Sequence, residues 1–320
     1  MKRMLAPALK IIISTGFLFL VLKKVDYKFL LTIFKSADLS LLALAYLLIL
    51  SLTLLLACRW YLLLQAVKEN YIFPFPLIWQ MTMVGLFFNI FLPTGAGGDL
   101  AKVFFLIRNQ EKKLLLGSSV LVDRFIGTLT VLTMALIAIL LTPGLDRRVT
   151  LLVLAFFIFC CLAFVLLSSE KLAVRFSFLL RIFPLSLRER WKHIYRAGFL
   201  YCSQRKIFIS AVGVSFLLQI VSIGAQYLMA KSLFPPATFG VSLRIFFIYV
   251  PLIWAATVIP SLGGLGVREY SYVFFFSRYL GSQTSLALSL LVLASVLLQS
   301  TAGGIVFLLM KVPAARIRKN

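Results

Sequence analysis

The sequence predicts an all-α polytopic integral membrane protein, with about six full crossings and two re-entrant broken-helix hairpins in an inverted internal repeat. Three observations lead there. The chain is 62% hydrophobic and only 13% charged, with a mean hydropathy of +1.02, whereas soluble domains carry about 25% charged residues. Several long stretches hold no charge at all, among them Leu39–Cys58 (20 residues), Val149–Ser169 (21), Ile207–Ala230 (24) and Tyr279–Met310 (32). About 20 apolar residues cross a hydrocarbon core of about 30 Å. Finally, two hydrophobic segments are broken near their middles by proline and glycine.

Eight hydrophobic segments follow in order, at about 5–22, 39–58, 77–107, 114–142, 149–169, 207–230, 243–280 and 283–310. The first follows Met1-Lys2-Arg3, as a signal peptide does, but Val21-Leu22-Lys23-Lys24 lacks small residues for cleavage, so it reads as a retained helix. The third runs from Leu77 to Leu92, breaks at Pro93-Thr94-Gly95-Ala96-Gly97-Gly98-Asp99, and resumes to Ile107. The seventh runs from Leu243 to Ile259, breaks at Pro260-Ser261-Leu262-Gly263-Gly264-Leu265-Gly266, and resumes to Leu280. Proline removes a helical donor and clashes with the preceding turn, while glycine frees the backbone. The two prolines are 167 residues apart, about half the chain. The sequence therefore divides one membrane domain, 1–320, into approximate halves 1–148 and 149–320.

The charge excess helps to choose the topology. Thirty-three Lys and Arg against 10 Asp and Glu give +23; in a membrane protein such residues gather in cytoplasmic loops rather than on nucleic acid. If both broken segments return to their starting side, 21 basic residues lie inside and 8 outside. Full crossings throughout give a split of only 12 against 17 in either orientation. The favoured arrangement makes both termini cytoplasmic, along with 59–76, 108–113 and 170–206. It leaves 23–38 outside, where Val25, Phe29, Ile33 and Phe34 follow the spacing of an interfacial amphipathic helix. The 170–206 loop reads as two basic amphipathic helices, serving as a topological anchor or recruiting anionic lipid.

Soluble-enzyme chemistry finds no footing. The single histidine, His193, has no nucleophile beside it, and the four cysteines form no CxxC pair. No P-loop, Rossmann fingerprint or metal-ligand cluster occurs, so neither a cofactor nor a metal is expected.

What stands out is charge where charge is expensive. Asp123 and Arg124 fall ten and eleven residues past Lys113, about 15 Å into their segment. Asp99 follows the first break, and Arg268 and Glu269 follow the second. A charge at the centre of a spanning helix costs about 2.5–3.5 kcal/mol on insertion scales. One reading is self-neutralisation: Asp99, Asp123 and Glu269 balanced by Arg124, Arg268 and Lys102, with Asp99 as N-cap of the helix it opens. The other is a ligand site. Each restarted helix presents unpaired N–H groups, and two such N-termini entering from opposite faces would meet near the midplane and hold a phosphate or carboxylate. Asn89, Thr94 and Ser261 would add neutral hydrogen-bonding groups. Because Asp123 and Arg124 point about 100° apart on one helix, each needs a separate partner. The symmetry of the breaks nominates Arg268 for Asp123 and Glu269 for Arg124.

Three ordered motifs carry a resemblance. They are Phe88-Asn89-Ile90-Phe91-Leu92-Pro93-Thr94-Gly95-Ala96-Gly97-Gly98-Asp99, Val122-Asp123-Arg124-Phe125-Ile126-Gly127, and Pro260 through Gly263-Gly264-Leu265-Gly266-Val267-Arg268-Glu269. Over nearly the whole length the chain resembles the lysylphosphatidylglycerol synthase transmembrane-region family, also called flippase-like membrane proteins. That resemblance implies a prokaryotic plasma-membrane protein that moves lipid between leaflets. It further implies a separate lipid-synthesis enzyme as partner, since no segment here is long enough for the family's cytoplasmic synthase domain. The expected ligand is a membrane lipid with a phosphate-bearing head. Its candidate contacts are Asn89, Pro93, Thr94, Gly97, Gly98, Asp99, Asp123, Arg124, Pro260, Gly263, Gly264, Arg268 and Glu269. A lipid-modifying transferase and a scaffold subunit are the alternative functions.

Overall fold

The computed structural model describes residues 27–66, 73–91, 97–107, 113–140, 147–168, 201, 204–235, 238–257 and 264–310. These fold into ten helices with no strand among them: α1 (Tyr27–Lys35), α2 (Leu39–Gln65), α3 (Phe75–Phe91), α4 (Gly97–Ile107), α5 (Lys113–Leu140), α6 (Arg147–Ser168), α7 (Arg205–Ser232), α8 (Leu243–Ala256), α9 (Val267–Leu280) and α10 (Ser282–Leu309). The first hydrophobic segment, the C-terminal tail and nearly all of the basic 170–206 loop lie outside the described residues.

Among the described residues, four helices are long and apolar enough to cross a membrane, those of α2, α5, α7 and α10. Their outer faces carry apolar side chains such as Leu47, Ile209, Leu297 and Leu308. Such a continuous apolar exterior would aggregate in water and suits lipid. Polar side chains are instead inside: Thr53, Ser119, Thr130, Ser215, Gln226 and Ser289 are all buried.

α2 and α7 form the central pair and run antiparallel. Asp38 at the start of α2 donates its N–H to Ser232 O at the end of α7 (2.9 Å), and Gln204 Nε2 donates to Ala66 O at the other end (2.9 Å). α3 and α4 fold back on each other, because Gly85 faces Lys102 and Asn89 faces Gly98. α8 and α9 do the same through Phe246 with Phe276 (4.7 Å) and Tyr249 with Tyr279 (5.8 Å). The helices of these two hairpins have 17, 11, 14 and 14 residues, each short of a full crossing.

The packing order of the first five helices recurs in the last five. α3 lies against α4 and α10, as α8 lies against α9 and α5; α4 touches α5 as α9 touches α10; α2 touches α3 as α7 touches α8; and α5 touches α6 as α10 touches α1.

Two elements differ from their sequence expectation. α1 does form at the amphipathic spacing, but Leu30 and Ile33 are buried in the same apolar cluster as α10 residues Leu286 and Leu288, not turned to a lipid interface. α2 continues past Cys58 to Gln65, so Arg59 is a buried helix residue rather than the start of a cytoplasmic loop.

Candidate functional site

The buried charges Arg59, Lys102 and Asp123 gather where α2, α4, α5 and α7 approach one another. Arg59 on α2 donates from Nε to Asp123 Oδ1 (2.6 Å) and from Nη2 to Asp123 Oδ2 (3.1 Å). Its remaining Nη1 donates to Ser215 Oγ on α7 (3.0 Å). A fork-to-fork pair of this kind satisfies both carboxylate oxygens at once. Gly127, one turn beyond Asp123, makes the room: a Cβ there would stand 3.0 Å from Arg59 Nη1.

One residue along α5, Arg124 points elsewhere and pairs through Nη1 with Asp99 Oδ2 (3.1 Å). This pair is partly exposed, while the Arg59–Asp123 pair is buried. α4 begins at Gly97, so Asp99 stands in its first turn and is not its N-cap. There it favours the positive end of the helix dipole as well as Arg124.

The first break is held shut from inside. Asn89 Oδ1 accepts the Gly98 N–H (2.9 Å), occupying one of the free donors at the start of α4. A Cβ on Gly98 would fall 2.1 Å from Gly85 O, so glycine here is dictated by the approach of two backbones. The second break is held by a carboxylate. Glu269 Oε2 accepts the Gly266 N–H (2.6 Å), while Glu269 Oε1 accepts from Arg268 Nε (3.0 Å) and Nη2 (2.8 Å). Gly264 and Gly266 have φ of 81° and 80°, a conformation in which a Cβ is strained.

The expected partners are thus corrected. Asp123 pairs with Arg59 and not Arg268; Arg124 pairs with Asp99 and not Glu269. Nor do the two restarted helices meet: α4 and α9 are not a packed pair among the described residues. Arg59 and Gln226, which mark the two clusters on α2 and α7, are set about 20 Å apart along that antiparallel pair. Each cluster pairs its own arginines with its own carboxylates. Pro93, Thr94, Pro260, Ser261 and Gly263 lie outside the described residues.

Three partners were missed in the sequence. Arg59 looked like one more loop cation after an uncharged stretch. Gln226 on α7 accepts the Tyr272 hydroxyl hydrogen bond from α9; as a neutral residue in a long apolar run it gave no charge signal. Trp60 is fully buried, donates Nε1–H to Ser119 Oγ (3.0 Å), and carries the ammonium of Lys102 over its ring (5.1 Å to the centroid).

The family model described as the lysylphosphatidylglycerol synthase TM region matches residues 8–303. The chain belongs to that family. The match spans both hairpins and every buried charge described above, so the Arg59–Asp123 and Arg268–Glu269 pairs lie within the lysylphosphatidylglycerol synthase transmembrane region itself. No curated protein and no solved structure matches the chain.

Proposed function

We propose that this member of the lysylphosphatidylglycerol synthase transmembrane-region family binds a phosphate-bearing membrane lipid and moves it between leaflets. The observation that carries the reading is the α3–α4 hairpin: two helices too short to cross, meeting a buried set of charges among longer apolar helices. Irregular backbone and charge at membrane depth are tolerated where they line a path for a polar group. A lipid head crossing the bilayer is such a group. Within that set the Arg124–Asp99 pair is more exposed than the Arg59–Asp123 pair.

The repeated packing order supports an inverted repeat. The helices that exchange at its centre, α2 and α7, are antiparallel, as they would be about a two-fold axis lying in the membrane plane. In this reading α3–α4 and α8–α9 are re-entrant from opposite faces, and their alternate opening exposes the path to each leaflet in turn. The location is a prokaryotic plasma membrane with both termini cytoplasmic, and a separate enzyme supplies the lipid. Arg268 is withdrawn from the head-group contacts because Glu269 neutralises it, accepting from Nε and Nη2; its place is in the closure of the second hairpin.

Purified protein in liposomes tests this. Scrambling of labelled phosphatidylglycerol in both leaflets is the expected result. Chemical conversion of the head group would indicate a transferase, and neither activity would leave a scaffold.

A further inference from the structure

Around Lys102 the described cations outnumber the described carboxylates. Among the described residues, Arg59, Lys102 and Arg124 stand with Asp99 and Asp123, and each of these carboxylates is paired with an arginine. In the second half, Arg268 and Glu269 cancel. The surplus falls on Lys102, which is 9% exposed. Its stem lies across Gly85, where a Cβ would come 2.9 Å from Lys102 Cε, and its ammonium ends over Trp60. Among the described residues Nζ makes neither an ion pair nor a hydrogen bond; its one close partner is that ring. Asp99 stands one turn before Lys102 on α4 and Trp60 follows Arg59 on α2, so Lys102 lies beside both pairs.

An ammonium has three donors to satisfy, and Nζ is not sealed in: among the described residues the sealed side-chain polar atom without a hydrogen bond is Ser300 Oγ. We infer that Lys102 is the receptor for one phosphate anion, the phosphodiester of a membrane lipid, seated between the Arg59–Asp123 and Arg124–Asp99 pairs. This rests on the lipid-binding reading above and supplies it with a contact that the motifs did not nominate. One negative charge neutralises the surplus without breaking either existing pair. The lipid source is favoured over free phosphate by the rings beside the site. Phe87, Phe88, Phe105 and Phe307 form one cluster on α3, α4 and α10, and Phe104 on α4 is exposed next to it. Acyl chains fit such a surface and a hydrated ion does not.

The test uses the full chain in neutral detergent, with its thermal midpoint read against added dioleoylphosphatidylglycerol, dioleoylglycerol or inorganic phosphate. Ligands that bind the folded state raise the midpoint in proportion to their affinity. Wild type and Lys102→Arg should be stabilised by phosphatidylglycerol, not by dioleoylglycerol, and much less by inorganic phosphate. Lys102→Met should bind phosphatidylglycerol about tenfold more weakly or worse. Its own fold should hold, since a buried charge without a counter-ion has been removed. Equal stabilisation of Lys102→Met and wild type overturns the assignment, and inorganic phosphate binding as tightly as the lipid overturns the lipid source. Scrambling in liposomes that does not depend on Lys102 would sink this inference and leave the transport reading standing. Binding that depends on Lys102 without scrambling would do the reverse.

Discussion

Arg59 and Asp123 form a buried two-pronged ion pair, Nε to Oδ1 at 2.6 Å and Nη2 to Oδ2 at 3.1 Å, that ties α2 to α5. Ser215 on α7 takes the third donor, so three long helices converge on one guanidinium. Removing either charge leaves the other buried and alone, which costs about 3–5 kcal/mol. Asp123→Asn and Arg59→Gln should each fall by about that much in detergent unfolding, whereas Arg59→Met with Asp123→Leu should recover most of the loss. A double variant as unstable as the sum of the singles would refute the pairing.

The two charge clusters are independent. Asp123→Asn combined with Arg268→Gln should give additive losses, within about 0.5 kcal/mol, because the residues share no partner. Within the second cluster, Glu269→Gln should cost more than Arg268→Gln. Glu269 both neutralises Arg268 and accepts the Gly266 N–H, while Arg268 only neutralises. Coupling of more than about 1 kcal/mol between Asp123 and Arg268 would contradict the separation.

The first hairpin turns on a backbone contact. Gly98→Ala puts a Cβ 2.1 Å from Gly85 O, a clash that no rotamer relieves. Gly85→Ala meets the flexible Cε of Lys102 at 2.9 Å and the Gly98 carbonyl oxygen at 3.2 Å, a milder crowding. Gly98→Ala should therefore cost about 1–3 kcal/mol or more and lower folded yield. Gly85→Ala should fold nearly as wild type but weaken lipid binding by displacing Lys102. Equal behaviour of the two variants in yield and binding would argue against this geometry.

A pH dependence is expected at the N-terminus of α2. Asp38 caps the helix, accepting from the Ser40 hydroxyl and from the Ser40 and Leu41 N–H groups. The Ser40 hydroxyl, followed by the Leu41 N–H, holds its carboxyl below the usual value. A depressed carboxylate stabilises the fold at pH above its unfolded value, about 3.9, and loses that contribution as pH falls through the folded one. Wild type should be more stable than Asp38→Ala at pH 7, and the gap should shrink as the pH falls below about 4. A gap that is constant with pH would mean that the charge of the cap is irrelevant.

Much of the fold was legible because hydrophobic length and proline–glycine punctuation are local properties. The uncharged run from Leu39 predicts a long helix, and Pro93-Thr94-Gly95-Ala96-Gly97-Gly98 predicts an interruption, without reference to any other part of the chain. The helices α2, α5, α7 and α10, and the paired short helices on either side of both breaks, follow from this. The end of α2 was misplaced because a cation after an apolar run resembles a loop. Only the presence of Asp123 sixty-four residues away makes a helical, buried Arg59 tolerable.

By itself the sequence determined the class of molecule, the two breaks, and the residue types that would have to be neutralised at depth. It also determined that Asp123 and Arg124, being adjacent on one helix, must look to different partners, as they do. The tertiary structure alone decided who those partners are. Charge pairing within a bundle depends on which helices are neighbours and at what height their side chains meet, and internal symmetry in the sequence does not specify either. Packing set α5 between α2 and α4, which gave Asp123 to Arg59 and Arg124 to Asp99, kept Arg268 with Glu269, and left the ammonium of Lys102 over Trp60 with no ion pair among the described residues.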